Sequence, residues 1–157
     1  MEHEGMVHAL DEIHRILKPT GTLIEIHPSV EAPPLVEVRS NGRLSFSEDD
    51  PGFDYRDDLV HAEAAVSTVL DRGVFVLEDR RTFELRTYAA SVEELRSYWS
   101  VYDAYDPEEK DETLARRQDA MYARAHDILE RTPGGELVYV EPAAMSRLTP
   151  SQASSRG

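Results

Sequence analysis

The hydrophobic residues near the start of the chain recur with the spacing of a helix. Those at intervals of four, three and four residues are Met6, Leu10, Ile13 and Leu17. This spacing places them on one face of an amphipathic helix. The Lys-Pro-Thr-Gly sequence at 18–21 ends it, because proline cannot continue the helix and glycine accommodates the turn. Residues 22–27 are β-branched and apolar on both faces apart from one glutamate, which predicts a strand inside a sheet that is covered on both sides.

The middle of the chain alternates between turn signals and short apolar segments. The pair Asn41-Gly42 separates two alternating segments, 35–38 and 43–46, which predicts a small surface hairpin. Helically spaced apolar residues then predict a second helix over 59–71, with Gly73 as its C-terminal cap. Residues 74–88 predict extended chain.

The last third of the chain predicts two helices and a strand. Ser91 and Glu94 form a capping box that opens the first helix, and the longer second helix ends at the Thr-Pro-Gly-Gly sequence of 132–135. Residues 136–148 predict the final strand, and the acidic stretches at 48–58 and 103–112 predict solvated loops. We therefore expect one α/β domain over residues 1–150, followed by a disordered tail at 151–157.

Residues 9–23, ALDEIHRILKPTGTL, resemble a signature of class I S-adenosylmethionine-dependent methyltransferases. In that family an amphipathic helix, a Leu-Lys-Pro-Gly-Gly turn and an apolar strand follow one another, and the strand is the fifth of the sheet. Thr20 departs from the pattern by replacing the first glycine, whereas Gly21 keeps the second. The resemblance implies a partial Rossmann-like methyltransferase sheet of about three main strands with flanking helices, the last strand running antiparallel between the other two.

The same resemblance bears on the cofactor. In the family, S-adenosylmethionine is held by a glycine-rich turn after the first strand and by an acidic residue at the end of the second. These 157 residues contain no Gly-x-Gly-x-Gly, and their one pair of adjacent glycines, Gly134-Gly135, follows a helix near the C-terminus. The resemblance therefore covers the C-terminal, substrate-side portion and implies no cofactor-binding residue. We expect the isolated chain not to bind S-adenosylmethionine unless the missing half is supplied.

Two groups of residues are candidates for chemistry. His27 ends a strand that we expect to be parallel, at the sheet edge where ligands collect, and a histidine of near-neutral pKa could take a proton from a nucleophile. The alternative is a histidine that hydrogen-bonds a loop. In methyltransferases, aromatic residues such as Tyr98, Trp99 and Tyr102 can line a substrate pocket, although their helical spacing favours a core stripe.

Composition narrows the partners and the location. The 17 basic and 31 acidic residues give a net charge of −14, which disfavours nucleic acid and anionic membranes. No cysteine is present, so thiolate chemistry is excluded. No apolar run reaches the roughly 20 residues that span a bilayer, and the polar start is unlike a signal peptide, so we expect a cytoplasmic protein. The helix pairs His8–Glu12 and Asp11–His14 have no third ligand, so we predict no metal site.

Three functional hypotheses remain open. The chain could be a methyltransferase fragment read from an internal methionine, a non-catalytic interaction module, or the substrate-side subunit of a split methyltransferase acting on a small-molecule methyl acceptor. In each case residues 22–27 lack a neighbouring strand, and an unpaired apolar edge strand promotes association. We therefore expect a homodimer, or another protein chain, to bind at this strand.

Overall fold

The computed structural model describes residues 3–52, 56–103 and 111–151, without the side chains of 56, 102 and 103. The described residues form four helices and five strands. In chain order these are α1 (His3–Ile16), β1 (Leu23–Pro28), β2 (Leu35–Ser40), β3 (Arg43–Asp49), α2 (Arg56–Asp71), β4 (Phe75–Ala89), α3 (Val92–Asp103), α4 (Glu112–Glu130) and β5 (Glu136–Pro150). The α/β class is confirmed, and the sheet has five antiparallel strands where about three were expected.

The final strand, β5, is the centre of the sheet. Its second half pairs antiparallel with β1, from Leu23 opposite Leu148 to Pro28 opposite Ala143. Its first half pairs antiparallel with β2, and β4 also pairs with β5. The strand order is β1-β5-β2-β3, with β4 off this path.

The described chain divides into two compact units. The first contains residues 3–31, 56–83 and 143–151, in which α1 and α2 pack on one face of the strands. Its core consists of the buried residues Leu10, Ala65, Val66, Val69, Phe75 and Leu148. The second unit contains residues 32–52, 84–103 and 111–142. Its core is centred on Val36, Val38, Leu95, Met121, Ala125 and Leu137.

Several boundaries follow from local sequence. Asn41 and Gly42 both have positive φ, 50° and 77°, as expected for a tight hairpin turn between β2 and β3. Gly73, at φ 66°, ends α2 in a Schellman motif, with Gly73 N donating to Leu70 O and Val74 N to Val69 O. The Ser91 hydroxyl accepts from Glu94 N at the start of α3.

Two expectations about the sheet are wrong. The hairpin of β2 and β3 is not a surface appendage, because β2 pairs with β5 and buries Val36 and Val38 completely. The β1 strand has only an antiparallel partner among the described residues, and one of its faces is open: Ile24 and Ile26 retain 50% and 54% of their accessible surface. From sequence alone an apolar strand is predicted to be covered on both faces. The packing shows that no described element covers the second face of β1.

None of the helices in the described parts of the chain is both long and apolar enough to cross a membrane. Of the two acidic stretches, residues 104–110 lie outside the described residues, as do 152–157 of the expected tail. The prediction of a solvated loop over 48–58 is wrong for the described residues: 48–49 belong to β3 and 56–58 to α2. Glu48 also pairs with Arg124 at 2.5 Å, and Asp50 is buried.

Asp50 is the polar centre of the second unit. Its Oδ1 accepts hydrogen bonds from Gly52 N at 2.8 Å and from Gln118 Nε2 at 2.9 Å. Burial, followed by the negative charge of Asp50, raises the pKa of the Tyr139 hydroxyl. A Cβ at Gly52 would lie 2.2 Å from Gln118 Nε2, so a side chain there would displace the Gln118 amide from its place beside Asp50. A buried carboxylate is tolerated here because donors surround it.

The Asp50 network predicts a large loss of stability on truncation. Asp50→Ala leaves Gly52 N and Gln118 Nε2 without their acceptor, and we expect the free energy of unfolding in urea to fall by about 2–4 kcal/mol. Asp49→Ala removes a neighbouring but exposed carboxylate and is the matched control, with an expected change within about 0.5 kcal/mol. Equal losses for the two variants would contradict a specific role for Asp50.

Candidate functional site

A chain of four charged side chains connects β1, α2 and β4 in the first unit. His27, on β1, is 93% buried, with 7% of its surface exposed. Its Nδ1 lies 2.5 Å from Glu25 Oε1 and its Nε2 lies 2.8 Å from Glu63 Oε1. Glu63 also accepts from Arg80, whose Nη1 lies 3.1 Å from Oε2 and whose Nη2 contacts Oε1. The order is therefore carboxylate, imidazole, carboxylate, guanidinium.

The local sequence explains half of this arrangement. Residues two apart on a strand share a face, so Glu25 and His27 point together toward the side of β1 that α2 covers. Glu63 reaches the imidazole from α2, which is 36 residues further along the chain. Arg80 reaches Glu63 from β4. The site is thus built where the buried face of β1 meets two elements that are distant in sequence.

The two carboxylates favour the protonated form of His27. An imidazole ring donates a hydrogen bond from both nitrogens only as the imidazolium. The hydrogen bond to Glu25 raises the pKa of His27, burial opposes it, and the hydrogen bond to Glu63 raises it further, so that the net shift is upward. Burial alone would raise the pKa of Glu63, but the hydrogen bonds from Arg80 and His27 outweigh burial and lower it. With two positive and two negative groups the chain is electrically neutral.

Two buried polar atoms beside this chain have no hydrogen-bond partner among the described residues. They are Glu25 Oε2 and Ser146 Oγ. Ser146 is fully buried on β5 and stands directly opposite Glu25 in the β1–β5 register. The Cβ atoms of such cross-strand partners are about 5 Å apart, so the two unpartnered oxygens belong to neighbouring side chains. The polar site therefore extends across the strand pair to β5.

The chemistry available to this site follows from its charges. The prediction that His27 accepts a proton from a nucleophile requires it first to release the proton held between two carboxylates, which becomes harder as its pKa rises. As an imidazolium it instead acts as a cation that holds Glu25 and Glu63 in place. A role for His27 as a base stays a prediction, and it requires His27 to release a proton that both carboxylates stabilise.

The predicted aromatic pocket residues lie in the second unit. Tyr98 is 44% exposed, and its ring meets the Trp99 ring edge-on at 5.0 Å. Trp99 packs in turn on Tyr139, at 4.7 Å between ring centroids, and against the core around Leu95. The core interpretation is therefore confirmed for Leu95 and Trp99. The side chain of Tyr102 lies outside the described residues, and a substrate-pocket role for these aromatics stays a prediction.

One residue from each helix pair considered for a metal, His8 and Asp11, lines a shallow cleft in the first unit, whereas their partners Glu12 and His14 do not. A cleft of about 220 Å³ is lined by His3, Glu4, Val7, His8, Asp11 and Thr68. His3 Nε2 hydrogen-bonds Thr68 Oγ1 at 3.2 Å, and Asp11 pairs with Arg72 at 3.0 Å. Across the part of the chain that the structure describes, no three histidine or carboxylate side chains are arranged to hold a metal ion.

Sequence reasoning identified His27 but not the groups that surround it. Glu25 carried a signal, as the only acidic residue in an otherwise apolar strand, and its spacing of two from His27 places both on one face. Glu63, Arg80 and Ser146 carried none, because their positions look like ordinary surface or strand positions in a one-dimensional pattern.

The charged chain predicts a pH-dependent stability. A folded pKa above the unfolded value near 6.5 means that the contribution of His27 is fully present below pH 6.5. It is lost as the pH rises through the folded pKa, with a slope of at most about 1.4 kcal/mol per pH unit. We expect His27→Gln to remove this slope, measured by urea unfolding between pH 6 and about 9. His61→Gln, at an exposed position of α2, is the matched control and should follow the unmodified chain. Identical pH profiles for all three proteins would contradict the assignment.

Comparison of the chain with protein-family models, with curated proteins and with solved structures finds no match in any of the three. Information on function therefore comes from the methyltransferase resemblance of residues 9–23 and from the geometry of the His27 site.

Proposed function

We infer that this chain is the substrate-side half of a class I methyltransferase-like fold and does not bind S-adenosylmethionine by itself. The observation that carries this proposal is the arrangement around β5. Both β1 and β4 run antiparallel to β5, α1 precedes β1, and α2 connects the β1 region to β4. This agrees with what the resemblance implies for a fifth and a sixth strand flanking an antiparallel seventh.

The open side of β1 supports the same proposal. In the family's order a fourth strand lies beside the fifth, on the edge that β1 leaves unpaired among the described residues. Ile24 and Ile26 are half-exposed on the face that no described helix covers. An unpaired strand with an exposed apolar face is a binding surface for another strand. We assign this surface, residues 22–27, to the cofactor-binding half of the fold.

The residues present do not fit the cofactor. A glycine-rich turn that leads from a strand into a helix brings backbone N–H groups close to such ligands. Here Gly134 and Gly135 instead lead from α4 into β5, and a Cβ on Gly135 would lie 2.8 Å from Thr132 O. When S-adenosylmethionine is bound, its sulfonium supplies the methyl group, and the glycine turn that binds it would have to come from outside these 157 residues. No catalytic step is assigned to this chain.

A non-catalytic interaction module is the second candidate, and the His27 site favours it. Each charged group there pairs with another group of the same chain, and His27 is buried. A catalytic base needs access to its substrate, whereas the buried His27 belongs to a neutral chain of ion pairs that joins β1 to α2 and β4. The two candidates share the open β1 edge and differ in whether a methyl acceptor binds.

The cofactor proposal is tested by calorimetry. We expect no heat of binding when S-adenosylmethionine is titrated into the isolated chain, because no glycine turn is present to bind it. Titration after unfolding in urea supplies the baseline. A micromolar dissociation constant for the folded chain would overturn the proposal, since that affinity corresponds to about 8 kcal/mol of binding free energy.

The open edge of β1 is tested by amide hydrogen exchange. Along Leu23–His27, alternate amides point toward β5 and the others point away. We expect the first set to be protected and the second to exchange close to the rate of an unstructured peptide. Equal protection of both sets would mean that the edge is already paired, which contradicts its assignment as a binding surface.

A further inference from the structure

The longest exposed strand edge belongs to β4. This strand has 15 residues, about three times the length of a typical strand, and pairs with β5 alone among the described residues. Apolar side chains along it are partly uncovered, each keeping between 36% and 54% of its accessible surface: Val76, Leu77, Phe83, Leu85 and Tyr88. Proteins usually protect such an edge with charged side chains, above all lysine, with proline or with a bulge. The sequence of β4 contains no lysine and no proline.

The charges of β4 are balanced, unlike those of the rest of the chain. The strand carries three acidic and three basic residues, whereas the whole chain has a net charge of −14. Ion pairs between residues two apart, Asp79 with Arg81 at 2.9 Å and Glu84 with Arg86 at 2.6 Å, fit the alternation of side chains between two faces. By the same alternation Glu78, Arg80, Thr82, Glu84 and Arg86 share one face in this order. Within one chain Arg80 already binds Glu63 and Arg86 already binds Glu84, so a second copy adds to these ion pairs and does not replace them.

This order is self-complementary about Thr82. When a second β4 is placed antiparallel with Thr82 opposite Thr82, Glu78 faces Arg86 of the second copy and Arg80 faces Glu84 of the second copy. Twofold symmetry repeats both pairs, and opposite charges facing each other across strands are stabilising. On the other face Arg81 lies opposite Phe83 of the second copy, where a guanidinium can pack on the ring.

Neighbouring registers lack this property. Directly opposed residues lie on the same face, so a twofold antiparallel pair must be centred on a residue. Centring on Arg80, Arg81 or Glu84 places that charge opposite itself. Centring on Phe83 places Arg80 opposite Arg86 of the second copy. Centring on Leu85 opposes Glu84 with Arg86 of the second copy but leaves Glu78 and Arg80 without a facing charge. Of these registers, only the Thr82 register places an opposite charge across from all four charges of the even-numbered face.

We propose that β4 is a self-association edge, and that two copies of this chain pair antiparallel along it with Thr82 at the twofold axis. The occupant is a second copy rather than an unrelated strand, because the charge order of β4 is complementary to itself. This inference does not depend on the methyltransferase proposal, which concerns β1. The two edges can be occupied at the same time.

Charge exchange across the axis tests the proposal with the full chain. Glu78→Arg places two arginines opposite each other, twice per dimer, and we expect the dissociation constant from sedimentation to rise about tenfold or more. The double variant Glu78→Arg with Arg86→Glu restores complementarity and should restore the dimer. Glu112→Arg, at an exposed position of α4, makes the same change in net charge and should have no such effect.

Cross-linking locates the register. The chain has no cysteine, so single-cysteine variants give disulfides without background. Thr82→Cys should form a disulfide-linked dimer under mild oxidation, because opposed residues lie within disulfide reach. Phe83→Cys alone should not. A monomer mass at micromolar concentration, a dimer unaffected by Glu78→Arg, or cross-linking at residue 83 rather than 82 would each overturn the proposal, whatever the outcome of the calorimetry.

Discussion

The sheet depends on one strand, β5, whose backbone N–H and C=O groups must all find hydrogen-bond partners. The backbone groups of β5 are bonded by β1, β2 and β4, and Leu137 and Val138, on opposite faces of β5, are both completely buried. A buried strand cannot leave its N–H and C=O groups unpaired, so the three partners must be in register with it. Since β5 is the last element of the chain and β1 nearly the first, the sheet forms only through contacts between distant segments.

Buried charge is the second constraint. His27 and Asp50 are both buried, and each is surrounded by groups that compensate for its lost hydration. Asp50 accepts from neutral donors and stabilises one unit from within. His27 instead bridges two carboxylates, so its contribution depends on its protonation state. The same physical demand is thus met by neutral donors in one unit and by charged partners in the other.

The open edges of β1 and β4 differ in chemistry, and this difference bears on function. The β1 edge is short and apolar on its open face, whereas the β4 edge is long and carries opposite charges in alternation. The apolar β1 edge, next to the segment that resembles methyltransferases, fits the proposed pairing with the other half of such a fold. The β4 edge fits a partner strand whose charges run in the reversed order. Specificity in strand pairing comes largely from charge and register, and affinity from buried apolar surface.

The sequence by itself determined the elements and their ends. The helix stops, the Asn41-Gly42 hairpin, the Gly73 cap and the Ser91 capping box all depend on residues within a few positions of one another, and each is found as expected. His27 and the acidic neighbour two residues before it were also visible in the pattern. Only the tertiary structure decided that β2 joins the sheet, that one face of β1 is open, and that Glu63 and Arg80 complete the His27 site. These outcomes rest on contacts between segments tens of residues apart, and a one-dimensional pattern of polar and apolar residues cannot specify which distant segments meet.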